Sequence, residues 1–342
     1  MTHRPTVSVL LPVRRWRPTT RAAVESVLAQ SERDLELLLV GHEDVDDLLA
    51  RLPRDARLRG VRRARPGLLG ALEGGLAAAR GRFVARMDDD DVARPERLAS
   101  QLAHLARHPE LGLVGARVRL VDANGERAGV GAGFRRYERW LNALTTPAAI
   151  RDACFVECPL PHPTWLAPRE LWTRLGGYRD IDGPEDHDFV LRARNAGVAM
   201  GKPEAVLLEW RDHPERLTRR DARYRREAFT AVRADAATDP ASGFGLDAGR
   251  PAWICGVGRN ARYWHDALAA RGARVEGFVD LDRPGARRRL RHRPVLTYRA
   301  LWEQRGEALL VTAITDPEAR AALVHEFAGR GLENGRDYLL GG

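Results

Sequence analysis

The sequence predicts an α/β fold with a mostly parallel central sheet, followed by a second, smaller α/β unit. Three observations carry this. Short apolar runs alternate with helix-period segments from residue 7 onward. One of those runs, 82–87 (RFVARM), ends directly in four aspartates. After a Gly/Ala/Ser/Pro-rich stretch at 236–249, the strand–turn–helix pattern starts again at 252.

The elements follow in order. Residues 7–13 (VSVLLPV) read as a buried strand, and 20–30 carry helical spacing through Ala23, Val24, Val27 and Leu28. Strands are expected at 35–40, 58–63 and 82–87, with a helix over 67–80. A helix with Pro95 in its first turn spans 95–108. Residues 111–121 read as one strand, closed by the turn Asp122–Gly125. Helices are expected at 168–175 and 185–196, stopped by Gly176 and Gly197, and a strand at 205–210. The boundaries fall at 1–238 for the first domain, 239–249 for a linker and 250–342 for the second domain, with strand 252–255, helix 260–271 and strand 274–279.

The 342 residues are 44% hydrophobic, enough for two cores. No apolar run reaches the length of a membrane span and the start resembles no secretion signal, so the expected place is the cytoplasm. Cys154, Cys158 and Cys255 support neither a disulfide framework nor a zinc site and read as small buried side chains. The net charge of +9 is carried almost wholly by arginine, Lys202 being the single lysine. That balance favours anionic partners, but no nucleic-acid-binding motif is present, so nucleic acid is not expected.

Asp88-Asp89-Asp90-Asp91 lies at the C-terminal end of a predicted parallel strand, where ligands of open α/β sheets bind. Four adjacent carboxylates repel one another. Either they form a solvated loop before the helix at Pro95, or they hold a hard divalent cation, with Asp88 and Asp90 on one side of an extended stretch. The segment ARMDDDDVARPERLASQL resembles the metal-binding region of family 2 glycosyltransferases of the GT-A fold. VSVLLPVRRWRPTTRAAVESVLAQSERDLELLLV is similar to that family's first strand, helix and second strand, and the likeness runs from residue 6 to about 215. It implies a nucleotide-sugar donor, and Mn2+ or Mg2+ held by Asp88 and Asp90. The acceptor it implies is a hydroxyl of a glycan or lipid-linked saccharide in bacterial cell-surface polysaccharide synthesis.

A second motif, Glu185-Asp186-His187-Asp188, follows Gly176-Gly177-Tyr178. Acids in a first helical turn favour the helix dipole. The motif also resembles the family's Glu-Asp-x-Asp, which implies Asp186 as general base, Glu185 to orient the acceptor or the base, and Asp188 at the helix start, beside the acceptor. Attack opposite the leaving diphosphate would invert the anomeric centre. Trp210-Arg-Asp-His213 is similar to the family's Arg-x-His, implying His213 as a further metal ligand. His162, in Pro-His-Pro-Thr, matches a pocket-lining stretch.

The resemblance puts the donor against Pro12, Val13, Arg86 and Asp89. Two positions depart from the family. Arg14 and Arg15 stand where an aromatic and Asn are usual, and Gly41-His42-Glu43-Asp44 stands for Asp-Asp-Gly-Ser, so Glu43 or Asp44 is the substitute contact. The donor's base stays open. Arg216, Arg219, Arg220, Arg223, Arg225 and Arg226 read as a solvated helix face or as a contact to donor pyrophosphate or to an anionic lipid-linked acceptor at the membrane surface.

In the second unit, Gly256-x-Gly258-x-x-Ala261 follows a strand and opens a helix, and Asp280 ends the next strand. This resembles a Rossmann-like nucleotide-binding module, with a nucleotide or dinucleotide as the implied ligand, or a scaffold of that shape without one. Two other functions fit parts of the sequence: a nucleotide-sugar sensor without catalysis, and an NAD-dependent sugar-modifying oxidoreductase. The latter lacks a Tyr-x-x-x-Lys.

Overall fold

The computed structural model describes residues 3–41, 45–282 and 288–341. The chain forms two compact units. The first runs to Arg151 and includes Pro159–Asp180 and Val198–Arg219; the second holds Asp152–Cys158, Ile181–Gly197 and the chain from Arg220 onward. No helix among the described residues is long and apolar enough to cross a membrane.

The first unit is built on a seven-stranded sheet ordered Leu58–Arg62, Leu35–Gly41, Val7–Pro12, Phe83–Arg86, Leu166–Pro168, Leu111–Val114, Ala199–Gly201. Its pairings are parallel except those of Leu166–Pro168. Leu37 to Val40 are fully buried, which is why these strands read as continuous apolar runs rather than alternating ones. The connection order reverses between Val7–Pro12 and Phe83–Arg86. That switch point, beyond the ends of the two strands, is where open α/β sheets bind their ligands. Met87 N donates to Leu10 O at 2.9 Å, tying the two ends together.

The run 111–121 is two strands, not one. Leu111–Val114 belongs to the large sheet, while Arg117–Val121 joins Val92–Ala93 and Val206–Arg211 in a three-stranded sheet. The chain changes sheet at Gly115, where an added Cβ would sit 2.9 Å from Leu160 Cδ2. Val114 and Ala116 are buried on either side of Gly115, and the run of small apolar residues there gives no sign of the break. Pro95 lies outside its helix: Arg97 N bonds to Arg94 O at 3.0 Å in a turn, and the helix is Arg97–Arg107. Lys202 is buried, its Nζ donating to Leu141 O at 2.5 Å.

The second unit carries a six-stranded sheet ordered Arg289–Leu290, Arg293–Thr297, Val275–Asp280, Ala252–Cys255, Leu309–Thr312, Tyr338–Leu340. All pairings are parallel except the edge pair Arg289–Leu290 with Arg293–Thr297. Helices Arg259–Ala269, Tyr298–Gln304 and Pro317–Gly329 make the crossovers. Taken from the central strand outward this is a doubly wound order, with its reversal between Ala252–Cys255 and Leu309–Thr312.

The segment expected as a linker is packed instead. Asp239 caps the short turn Pro240–Ser242 through Ala241 N at 2.8 Å, and Phe244 and Leu246 are buried. Phe244 meets Phe155 edge-on at 5.4 Å, and the Arg194 guanidinium lies over both rings. The second unit also contains helices Glu185–Asn195 and Arg226–Thr238, which precede the expected boundary at 238.

Candidate functional site

Asp88, Asp90 and Asp91 each present a carboxylate oxygen within one volume, all lying within 4.8 Å of one another. The strand Phe83–Arg86 delivers them to the switch point of the sheet. Asp91 is buried; its Oδ1 accepts from Arg211 N at 2.8 Å, while Oδ2 is buried with no hydrogen-bond partner. Burial, then the charges of Asp90 and Asp88, push the Asp91 carboxyl well above its ordinary range, and the same causes push Asp89 up to about 7. Asp90 goes the other way. Burial alone would raise it, but the hydrogen bond from His213, then the charges of Arg216 and Arg86, outweigh burial and lower it.

Cations frame the cluster. Arg86 is buried and pairs with Asp88. Arg97, also buried, donates from Nη2 to Arg86 O at 2.5 Å and from Nη1 to Met87 Sδ at 3.1 Å. Burial lowers its guanidinium to about 9. Gln101, one turn on, fixes the neighbouring backbone through Thr164 O at 2.7 Å and Gly115 O at 3.0 Å. Arg211 Nε donates to Asp90 O at 2.9 Å. His213 Nδ1 accepts from Glu215 N at 3.2 Å, so the ring proton sits on Nε2 and is donated to Asp90 Oδ2 at 2.7 Å.

An all-oxygen donor set with one orphaned buried oxygen suits a hard divalent cation. Asp91, Arg97 and Arg211 were missed in the sequence. Asp91 adjoins the Asp-x-Asp and Arg211 is the arginine of the Arg-x-His stretch, so both had a signal; Arg97 had none.

The second acidic motif lies in the second unit and opens helix Glu185–Asn195. Glu185 is buried and accepts from the Tyr224 hydroxyl at 2.9 Å. Burial, then Glu185 and Asp186, hold that hydroxyl's pKa well above its ordinary value. Asp188 is buried and accepts from Arg192 Nε at 2.8 Å. Asp186 is the one partly exposed acid of the three, its Oδ1 taking His187 N at 2.7 Å. His187 is fully buried and donates from Nε2 to Cys154 O at 2.6 Å. Burial, then Arg233, lowers its pKa to about 3.

Among the other expected residues, Pro12 ends the strand Val7–Pro12 and Val13 is buried just beyond it. Asp89 lies 3.5 Å from Thr20 Oγ1. Glu43 and Asp44 lie outside the described residues. Arg15 and Arg17 both reach Glu215, at 2.6 and 3.2 Å. His162 is buried against Trp165, its Nε2 2.6 Å from the Tyr178 hydroxyl. Burial, then Arg86, holds it well below its usual pKa, as suits a lining rather than a charged role. In the second unit, Gly256 has φ +118 and its N donates to Val279 O at 2.8 Å, which sets Asp280 beside the glycine turn. Gly258 caps helix Arg259–Ala269, and Ala261 is buried on it.

Residues 8–155 match the family model described as Glycosyl transferase family 2. The chain is 26% identical over 229 residues to EpsE of Bacillus subtilis (strain 168), covering 64% of this chain and 78% of that one. It is 26% identical over 214 residues to the O-antigen biosynthesis glycosyltransferase WbnJ of Escherichia coli, covering 60% of this chain and 80% of WbnJ. A crystal structure of S. aureus TarS 1-349 in complex with UDP matches with a TM-score of 0.50 at 16% identity, over 68% of this chain and 65% of that one. That likeness is one of fold.

Proposed function

This chain is a family 2 glycosyltransferase through residues 8–155, and from that premise we propose that it is metal-dependent and inverting. Its substrates are a nucleoside-diphosphate sugar and a hydroxyl of a glycan or lipid-linked saccharide, in the synthesis of a bacterial surface polysaccharide. The observation that carries the reading is the convergence of Asp88, Asp90 and Asp91 at the switch point of the sheet.

Asp88 and Asp90 hold Mn2+ or Mg2+, with Asp91 in the same group. His213 Nε2 reaches Asp90 Oδ2 at 2.7 Å, so it would join the set by giving up the proton it now donates there. When bound, the cation offsets the negative charge that grows on the departing diphosphate. The donor lies along Pro12, Val13, Arg86 and Asp89.

Asp186 accepts the proton of the attacking hydroxyl as the new bond forms. Its partial exposure beside two buried, fully engaged acids supports that choice. Glu185, held by Tyr224, orients the acceptor, and Asp188 secures the helix start. One base and one metal without a protein nucleophile give inversion. The glycine turn at Gly256–Gly258 with Ala261 and Asp280 supports a nucleotide site in the second unit. The test is hydrolysis of a nucleotide-sugar panel with and without Mn2+. Metal-dependent turnover is expected. Tight donor binding with no turnover under any condition would instead make the chain a sensor.

A further inference from the structure

The loop that leaves strand Val7–Pro12 carries Arg14-Arg15-Trp16-Arg17, one of the two places where the chain departs from its family. Trp16 packs against the core of the first unit, with the Arg51 guanidinium 5.7 Å from its ring centroid. That anchor fixes the arginines on either side of it. Arg15 and Arg17 each bring an Nη2 to the same atom, Glu215 Oε2, at 2.6 and 3.2 Å. All three residues belong to the first unit.

The two ends of this contact flank the acidic cluster. On one side, Thr20 N bonds to Arg17 O at 3.0 Å, and the Thr20 hydroxyl lies 3.5 Å from Asp89 Oδ2. On the other, His213 accepts from Glu215 N at Nδ1 and donates from Nε2 to Asp90 Oδ2. The ion pairs therefore join the segment beside Asp89 to the segment beside Asp90. They are open to solvent: the Arg15 side chain is 61% exposed and that of Glu215 42%. An exposed pair adds little to folding stability, so holding the fold together does not account for two cations on one carboxylate oxygen. Two guanidiniums converging on one oxygen suit a phosphate group. Guanidinium meets phosphate in paired, charge-assisted hydrogen bonds, and a diphosphate brings more charge and more acceptor oxygens than one carboxylate.

We propose that Arg15 and Arg17 form a diphosphate-binding pair and that Glu215 competes with the diphosphate for it. A diphosphate takes both guanidiniums from Glu215, whose carboxylate turns to water. The exchange costs little because the displaced pair is exposed. It also sets a threshold. A monophosphate or a carboxylate gains little over Glu215, so the contact favours diphosphates. That the diphosphate is a sugar donor's rests on the glycosyl-transfer reading; the exchange itself does not.

The test is calorimetric titration of the full chain with inorganic pyrophosphate and with inorganic phosphate, in EDTA and again with excess Mg2+. Pyrophosphate should bind roughly tenfold tighter than phosphate in at least one of the two conditions. E215Q should tighten pyrophosphate binding about fivefold, R15Q should weaken it about fivefold and R15Q/R17Q about twentyfold. R14Q removes an exposed charge one residue away and should stay within about twofold. In E215Q/R15Q/R17Q the gain from E215Q should vanish, because the carboxylate acts through the two arginines. All variants should keep the melting temperature of the unchanged chain. A gain from E215Q that persists without the arginines would overturn the proposal, since Glu215 would then act only through the general field of the site. So would R14Q weakening binding as much as R15Q, or no pyrophosphate binding in either condition. The expected pattern in a chain that turns over no donor would count against the transfer reading alone. Metal-dependent turnover with none of these shifts would count against the exchange alone.

Discussion

Two clusters of acids, Asp88–Asp91 and Glu185–Asp188, look alike as strings of letters and differ in how their charge is balanced. In the second, each carboxylate has its own local partner: the Tyr224 hydroxyl for Glu185, the His187 N–H for Asp186 and the Arg192 guanidinium for Asp188. The helix N-terminus adds a favourable dipole. In the first, three carboxylates share one small volume, one buried oxygen has no partner, and two of the four acids are pushed toward the neutral form. A cluster satisfied acid by acid is complete as built and can use one member as a base. A cluster that is mutually repulsive calls for an outside cation.

The largest test of that contrast is chemical. Asp88→Asn or Asp90→Asn should lower donor turnover on the order of a thousandfold, since several kcal/mol of transition-state charge stabilisation are lost. Calorimetry should show Mn2+ binding lost with it. Asp186→Asn should cost about a hundredfold or more in turnover, yet leave Mn2+ and donor affinity within about twofold by the same calorimetry. If Asp186→Asn abolished metal binding, the two clusters would not be separate devices.

A smaller effect lies in acid stability. His187 titrates near 3 when folded and near 6.5 when unfolded, so the unfolded chain binds the extra proton between those values. The stability of keeping it neutral is fully present above pH 6.5 and is lost as pH falls. Between pH 6.5 and 4.5 the loss from this residue should be roughly 2–3 kcal/mol. Denaturant titrations of His187→Gln across that range should show a correspondingly flatter curve; an unchanged slope would dismiss the histidine as its source. Smallest of all, Tyr224→Phe leaves the buried Glu185 carboxylate without its O–H donor. It should cost about 1–3 kcal/mol in the same titrations, with Mn2+ affinity intact.

Much of this was legible in the sequence because burial writes itself in apolar runs. The strands around Val9, Leu37 and Val84, and the aspartates that follow, needed no coordinates. The break at Gly115 was hidden because the chain is buried on both sides of it. The packed segment around Phe244 was hidden because small residues signal a loop whether or not two large ones nearby are buried. Residue types and spacing singled out Asp88 and Asp90 as candidates, and the family resemblance singled out Asp186 and His213. Arg97 and Tyr224 make contacts 10 to 39 residues distant in sequence, and one arginine or tyrosine among several carries no mark of such a contact.

Lys202 has one further consequence. The sole lysine of the chain is sealed inside the first unit, so every basic side chain on the exterior is guanidinium or imidazole. Acetyl transfer and amine-directed labelling find no lysine target there. Guanidinium keeps its proton at any pH a cell reaches, so the arginine share of the exterior charge is fixed for the life of the molecule. Its pull on polyanions is then governed by dissolved salt rather than by acidity.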